Sequence, residues 1–338
     1  MLRQIQLRFP PLSLCRLLRQ QNIKIHHGYL NIQSRDIHVV PTIKEMRNIR
    51  SLLNASNESI GFVPTMGALH DGHLSLIQKA VARNNTVIVS IFVNPKQFSA
   101  GEDYDKYPRQ LENDLNILRK HFGTKISYLF YPSESEMYPS NPLCHIEAEA
   151  FCNIFEGQRR PDFFRGVATV VGKLFNIVRP TDSYFGQKDI SQCILLQRMV
   201  QDLNMPVRVN VCESIREEDG LAMSSRNAYL SSEERAVAPV LYRALQSGKE
   251  MLLLLGDSES NPVYCEYVRM EIRRCLLSEP MVSSIEYISI ADPSNMTERE
   301  QYTGRDDGVV ISAAIRLGQT RLIDNVLVGS AEKIIDIL

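Results

Sequence analysis

The 338-residue chain has no apolar run approaching the ~18 residues of a membrane-spanning helix; Met251 to Leu255 and Val87 to Val93 are both too short. It has no excess of either charge. With 38 Lys and Arg against 39 Asp and Glu the net charge is −1, whereas a surface for nucleic-acid phosphates needs a basic excess, so a small-molecule partner is expected. No C-x-x-C pair occurs, and seven cysteines (Cys15, Cys144, Cys152, Cys193, Cys212, Cys265 and Cys275) are an odd number for a full disulfide framework. A reduced compartment is the easier reading. No internal repeat or low-complexity tract is present, which sets a solenoid aside.

The first 35 residues lack acid altogether and carry Arg3, Arg8, Arg16, Arg19, Lys24 and Arg35 interleaved with leucines. Such a basic extension reads as a mitochondrial presequence, with a cytoplasmic protein as the alternative; Pro10-Pro11 divides any helix there in two. The remaining length suits about two domains.

What is there centres on Gly61-Phe62-Val63-Pro64-Thr65-Met66-Gly67-Ala68-Leu69-His70-Asp71-Gly72-His73. Ile60 to Val63 reads as a strand and Gly72 onward as a helix, with a turn between. The start of a helix offers unpaired N–H groups and the positive end of a dipole, which suits a phosphate. His70 and His73, three apart, can face one bound group; a metal pair and two surface histidines are the other readings of that spacing.

The chain then alternates. A helix over Thr42 to Leu53, with a Thr42–Glu45 capping box, leads in. Asn85 to Val93 is a β-branched run of the kind buried in a parallel sheet, and it ends at Asn94 and Gln97, in the crevice outside the carboxyl ends of the strands. A helix over Gln110 to His121 carries Asp114, read as a solvated carboxylate or a magnesium contact. Strand Ile126 to Tyr131 and an apolar helix from Phe163 to Val178 follow. Asp182 to Asp189 is a strand end running into a helix (Ile190 to Leu203), with Lys188 placed to bind phosphate, Asp189 a cap, and Gln192 on the same face. Met223-Ser224-Ser225-Arg226 is a polar loop suited to outer phosphates. Beyond residue 214 come helices (Ser231 to Leu255 and Pro262 to Leu277), a Gly256-Asp257-Ser258 linker, and strands Ser284 to Ala291, Gly308 to Ile315 and Thr320 to Val328. The expected division is a basic extension (1–36), a Rossmann-like α/β domain with a parallel sheet (37–213) and a smaller α+β domain (214–338).

Four separated pieces, Pro64 to His73, Ser90 to Phe98, Phe185 to Asp189 with Gln192, and Asp219 to Asn227, together resemble the pantoate–β-alanine ligases of the HxGH nucleotidylyltransferase superfamily. The resemblance runs from about residue 40 to the C-terminus. It implies ATP-dependent joining of pantoate and β-alanine through pantoyl adenylate, with Mg²⁺ on the ATP, in a homodimer whose smaller domain closes over the nucleotide. It implies an ATP site of Met66, Gly67, His70, His73, Gly186, Gln187, Lys188, Asp189, Ile215, Met223, Ser224, Ser225 and Arg226. It also implies pantoate binding by Gln97 and Gln192, beside Asn94, and makes His73 the proton donor. Two anions meet in such a reaction, so positive charge from the helix dipole, His70, His73, Lys188 and Arg226 is what the chemistry requires. A nucleotidyltransferase that stops at an adenylated product, and a nucleotide sensor without catalysis, are the rival readings of the same crevice.

Overall fold

The faces to which successive residues of two strands point decide this architecture. The computed structural model describes residues 37–338, apart from 57, 100, 141, 257–261, 305–307 and 336–338. The expectations for residues 1–35 and for the linker at 257–258 lie outside the described residues. Strands β1 (His38–Val40), β2 (Ile60–Thr65), β3 (Thr86–Ile91), β4 (Tyr128–Phe130), β5 (Asp182–Gly186) and β6 (Arg208–Cys212) form one sheet in the order β1-β4-β3-β2-β5-β6. Every adjacent pair is parallel. The covering helices are α1 (Ile43–Ala55), α2 (Asp71–Arg83), α3 (Leu111–Phe122), α4 (Phe163–Val178) and α5 (Ile190–Asp202). Ile60, Phe62 and Ile88 face a core shared with Phe164, Val171 and Ile194. Val63, Val87 and Val89 face the opposite core, with Leu74, Ile77 and Leu118. A sheet covered on both faces needs strands that are apolar on both, and these are.

The crevice has a local cause. β2 stays paired with β3 as far as Thr65 and Ile91, but it pairs with β5 only at Gly61–Asp182 and Phe62–Ser183. Pro64 has no N–H to extend a ladder. The strands therefore part at their carboxyl ends, at the point where chain order reverses from β3 and β4 on one side to β5 and β6 on the other.

After β6 the chain forms α6 (Val240–Leu255) and α7 (Cys265–Leu277), which pack on an antiparallel sheet of order β11-β10-β8. Its strands are β8 (Val282–Ala291), β10 (Val309–Leu317) and β11 (Thr320–Val328); β7 (Val263–Tyr264) pairs with β9 (Gln301–Tyr302). Leu241, Leu245, Val268, Ile272, Ile290 and Ile311 build this core. Val310, Leu327 and Ala331 face the other way and join the core behind the parallel sheet, and residues 37–338 make one compact unit.

Two helix expectations are corrected. Ser231 to Leu255 is not one helix: it divides into Ser232–Val237 and α6, because Pro239 between them has no N–H for a continuous ladder. The Ser231–Glu234 capping box closes in both directions, at 2.9 and 3.2 Å. At Thr42 only half a box forms. Thr42 Oγ1 accepts from Glu45 N at 3.2 Å, while the Glu45 carboxylate turns to His38 at 3.0 Å.

Candidate active site

A cleft of about 910 Å³ opens at the parted ends of β2 and β5. His70 is the N-cap of α2, and its Nδ1 accepts from Gly72 N at 3.2 Å. His73 Nδ1 accepts from His70 N at 3.4 Å. The two rings are tilted at 46° with centroids 4.1 Å apart, and both line the cleft. Burial, with a smaller contribution from the Lys188 charge, lowers His70 to about 4. Burial, His70 and Lys188 lower His73 to about 3. Both are neutral near pH 7, and since each Nδ1 accepts, the ring proton sits on Nε2. The Gly72 N–H expected to meet phosphate directly is thus taken by an imidazole. The positive end of the helix is relayed to the cleft by two Nε2–H donors, not by two cationic rings.

Asp114 is neither a solvated carboxylate nor placed as a magnesium ligand. It is 0% exposed; Oδ2 accepts from Ala68 N at 3.0 Å and Oδ1 from Leu69 N at 2.8 Å. Gly67 and Ala68 both have left-handed backbones, with φ of 84° and 51°, a conformation that disfavours a Cβ such as Ala68 carries. The carboxylate clamps that unfavourable turn from α3. Burial raises its pKa, while the two backbone donors work in the opposite direction. The helical position was legible, but the burial was not: Glu112 and Asp114 look alike in the sequence, and only Asp114 faces the turn between β2 and α2, while Glu112 is exposed.

Gln97 ends a 3₁₀ turn (Pro95–Gln97) after β3, and Asn94 caps that turn. Gln97 and Gln192 line the cleft, as does Asn94. Asn94 is only 1% exposed, and its amide is occupied within the protein, so it supports Gln97 instead of contacting ligand. The turn is seated on α4 at Gly166, where a Cβ would lie 2.2 Å from Lys96 O. The close approach explains glycine there.

Lys188 and Asp189 line the cleft beside the histidines, with Nζ and Oδ2 3.6 Å apart. Gln187 points away: it is buried, donating from Nε2 to Asn325 Oδ1 at 3.0 Å and accepting from Ser214 N at 3.4 Å. Asn325 Nδ2 in turn donates to Gln187 O at 2.9 Å and Lys188 O at 3.0 Å. A residue of β11 therefore holds the backbone of the Lys188 turn, and nothing in its local sequence announces it. Ile215 is not among the residues lining the cleft; its carbonyl accepts from Met223 N at 3.0 Å and so anchors the start of the loop that does line it. Neither Gly67 nor Gly186 lines the cleft: Gly67 begins the left-handed turn before His70, and Gly186 ends β5 in an extended backbone just before Lys188.

Met66, Met223, Ser224, Ser225 and Arg226 all border the cleft. Arg226 is not free to wrap phosphates with its whole fork: Nε and Nη2 each donate to Asp103 at 2.9 Å. Burial works against both charges and the pairing outweighs it, leaving Asp103 below and Arg226 above its ordinary range. Tyr107 Oη lies 3.2 Å from Ser225 Oγ, and Tyr229 Oη donates to Lys106 O at 3.4 Å. Residues 101–107, with their acidic and aromatic character, were the signal that motif reading passed over. Among the described residues no three His, Cys, Asp or Glu side chains gather as a metal site, and no helix is long and apolar enough to cross a membrane.

This arrangement offers neutral donors at one wall, an ammonium beside them, and two amides lining the same cleft, a set suited to binding phosphate and other oxygen-rich groups. Comparison with known proteins gives the family. Residues 38–327 match the family model for pantoate-beta-alanine ligase. A pantothenate synthetase from Thermodesulfovibrio yellowstonii is 46% identical over 283 residues, 84% of this chain and 96% of that protein; one from Staphylococcus epidermidis is 41% identical over 291 residues, 86% and 97%. The crystal structure of pantothenate synthetase from Thermus thermophilus is similar with a TM-score of 0.76 at 40% identity, covering 86% of this chain and 99% of that one. A pantoate-beta-alanine ligase from Francisella tularensis, described as complexed with beta-gamma ATP and beta-alanine, gives 0.67 at 37% identity, covering 86% and 97%.

These relatives are bacterial, from cells without mitochondria, and they overturn the mitochondrial expectation for residues 1–35; the cytoplasmic alternative fits them better. The physical reason is that an acid-free stretch of arginines and leucines is a property of composition, which by itself names no destination. From residue 38 to 327 the match is continuous in sequence and in fold, and the chain is a member of the pantoate-beta-alanine ligase family.

Proposed function

We propose that the cleft binds ATP and pantoate together and joins pantoate to β-alanine through pantoyl adenylate. A pantoate carboxylate oxygen attacks the α-phosphorus; the new O–P bond forms as the bond to the β-phosphate oxygen breaks, and pyrophosphate leaves. The β-alanine amine then attacks the acyl carbon, the C–N bond forms, AMP leaves with the carboxylate-derived oxygen, and the amine proton passes to solvent. The observation that carries this reading is the grouping of two imidazole Nε2–H donors, Lys188 and the Gln97 and Gln192 amides in one cleft.

The imidazoles donate where charge grows on the phosphate oxygens, and the approaching charge raises their pKa, so that His73 gains the capacity to donate a proton. Lys188 supplies a point charge. Holding both reactants in line accounts for on the order of 7 to 11 kcal/mol in well-oriented systems. Magnesium enters on ATP and offsets phosphate charge. Of the cleft carboxylates, Glu102, Asp103, Glu286 and Asp324 are held by arginines, so Asp105 and Asp189, the latter with Lys188 no closer than 3.6 Å, are the residues that would hold the ion. Residues 214–338 act as a lid over the parallel-sheet domain, keeping water from the reactive acyl adenylate, and the protein works as a homodimer.

The test follows pyrophosphate and AMP with ATP, Mg²⁺ and pantoate, with and without β-alanine. Pyrophosphate is expected in both arms, at most stoichiometrically without the amine, and AMP only with it. Steady AMP release that ignores β-alanine overturns the reading. Light scattering at micromolar concentration checks the dimer.

A further inference from the structure

Asn94 has four hydrogen-bonding sites on its amide, and the protein fills all four. Oδ1 accepts from Tyr138 Oη at 2.9 Å and from Lys96 N at 3.4 Å. Nδ2 donates to Gly166 O at 3.2 Å and to Gln97 Oε1 at 3.0 Å. Two backbone groups of fixed polarity, an N–H and a carbonyl, make this orientation of the amide unambiguous. Because Asn94 offers Gln97 an N–H, Gln97 must answer with its oxygen. Its Nε2 is left facing Met66 Sδ at 3.5 Å and the cleft, and a thioether is a weak acceptor that an oxygen ligand readily replaces. Gln97 is thus set as a donor.

The strong member of this chain is the Tyr138 hydroxyl, since the Lys96 bond is long. Tyr138 lies outside the sequence motifs, its ring packed near Phe92 and under Lys173 Nζ at 5.0 Å, with its hydroxyl on Asn94. Burial pushes its phenol up to about 12, so it remains a donor at any physiological pH.

We propose that Tyr138 is a positioning residue which, through Asn94, fixes the Gln97 amide with its N–H₂ toward the cleft, tuning that subsite to a ligand rich in acceptor oxygens. The inference rests on the reading of that ligand as pantoate. An acid bearing hydroxyls and a carboxylate presents acceptor lone pairs to a donating amide; with the amide reversed, oxygen would face oxygen and the subsite would repel the carboxylate.

The experiment is a double-mutant cycle of Tyr138→Phe and Gln97→Ala, with the KM of pantoate, ATP and β-alanine measured separately. Tyr138→Phe removes one oxygen and keeps the ring, so the fold is retained, with its melting temperature as the control. The expected result is a rise in pantoate KM of about tenfold, the equivalent of one lost hydrogen bond, with ATP KM and kcat changed less than about twofold. In the Gln97→Ala background the same substitution should add nothing, because the amide it orients is gone. Asn94→Asp, which replaces the donor with a second acceptor, should raise pantoate KM further. An unchanged pantoate KM in Tyr138→Phe, an equal rise in ATP KM, or a full effect persisting in Gln97→Ala would each overturn the proposal. Absence of pantoate turnover in the unaltered protein would instead overturn the reading of the site, and this proposal with it.

Discussion

Arg226 grips Asp103 with two hydrogen bonds of 2.9 Å, and that pair ties the loop after the 3₁₀ turn to the Ser224–Arg226 loop across the mouth of the cleft. Tyr107 with Ser225, and Tyr229 with Lys106, repeat the tie on either side. The fork has five N–H groups and the pair engages two of them, so Arg226 keeps donors for a phosphate while its orientation is held. The carboxylate is therefore an aiming device for the cation.

If so, Asp103→Ala should release both the aim and the tie. The expected outcome is a rise in ATP KM of about tenfold, the order of one charge-assisted hydrogen bond, together with AMP released in the absence of β-alanine as the adenylate escapes to water. Asp103→Asn, which retains one acceptor oxygen, should lie between. The ratio of AMP to pyrophosphate without the amine measures the leak; a ratio equal to that of the unaltered protein would show that the tie does not guard the intermediate.

Asp114 makes a stronger prediction because its removal strands two backbone donors, one buried and one partly buried, at a left-handed Ala68. Asp114→Ala should lower stability by about 3 kcal/mol, from two N–H groups left without partners. It should also lower kcat roughly 100-fold, the order expected when reacting groups are misplaced by about an ångström. Asp114→Asn keeps one acceptor and should recover part of each. Urea midpoints with single-turnover pyrophosphate release separate the two effects. Loss of stability with full kcat would place the histidines under other control.

How much of this was readable beforehand depends on the kind of contact. The strand-turn-helix around Gly67 and His70 was legible because a β-branched run, glycines and helical spacing are local signals, and the parallel sheet followed from repeating them. His70, His73, Lys188, Gln97 and Gln192 were legible as motif residues, and they meet in one cleft. Asn325, Tyr138 and Asp103 were not. Their hydrogen bonds span 138, 44 and 123 residues, and no local pattern encodes a partner that far away. Polarity was hidden too: the sequence shows two histidines, but only their Nδ1 acceptor bonds and burial make them neutral donors. Ser231 to Leu255 failed for the opposite reason, since helical spacing continues through Pro239 although the backbone ladder does not.

The depressed histidines fix a pH dependence of stability. Their folded values, about 4 for His70 and about 3 for His73, lie below the ordinary 6.5, so between those limits the unfolded chain binds more protons than the folded one. Stability is then present in full above about 6.5 and falls as pH drops through 4. Urea midpoints measured from pH 7 to 4 should decline, and less steeply in His70→Asn and His73→Asn. Parallel slopes in all three proteins would mean that other groups set the acid limit.

Lys188 connects this electrostatics to the chemistry. Its charge helps depress both imidazoles, after burial in each case, and it stands on the cleft wall, where the proposed transfer would develop phosphate charge. Lys188→Met should thus do two things at once. The His70 imidazole, followed by NMR in the absence of nucleotide, should titrate at a higher pH than in the unaltered protein while staying below 6.5, because burial remains. Pyrophosphate release in a single turnover should fall about 100- to 1000-fold, the range for loss of one group aimed at developing charge, with pantoate KM little changed. Lys188→Arg keeps the charge, so the imidazole should hold its low value while the rate recovers only in part, a planar fork being a poor substitute for a compact ammonium. Should the imidazole shift without a loss of rate, Lys188 would be a neighbour of the histidines and not a participant in the transfer.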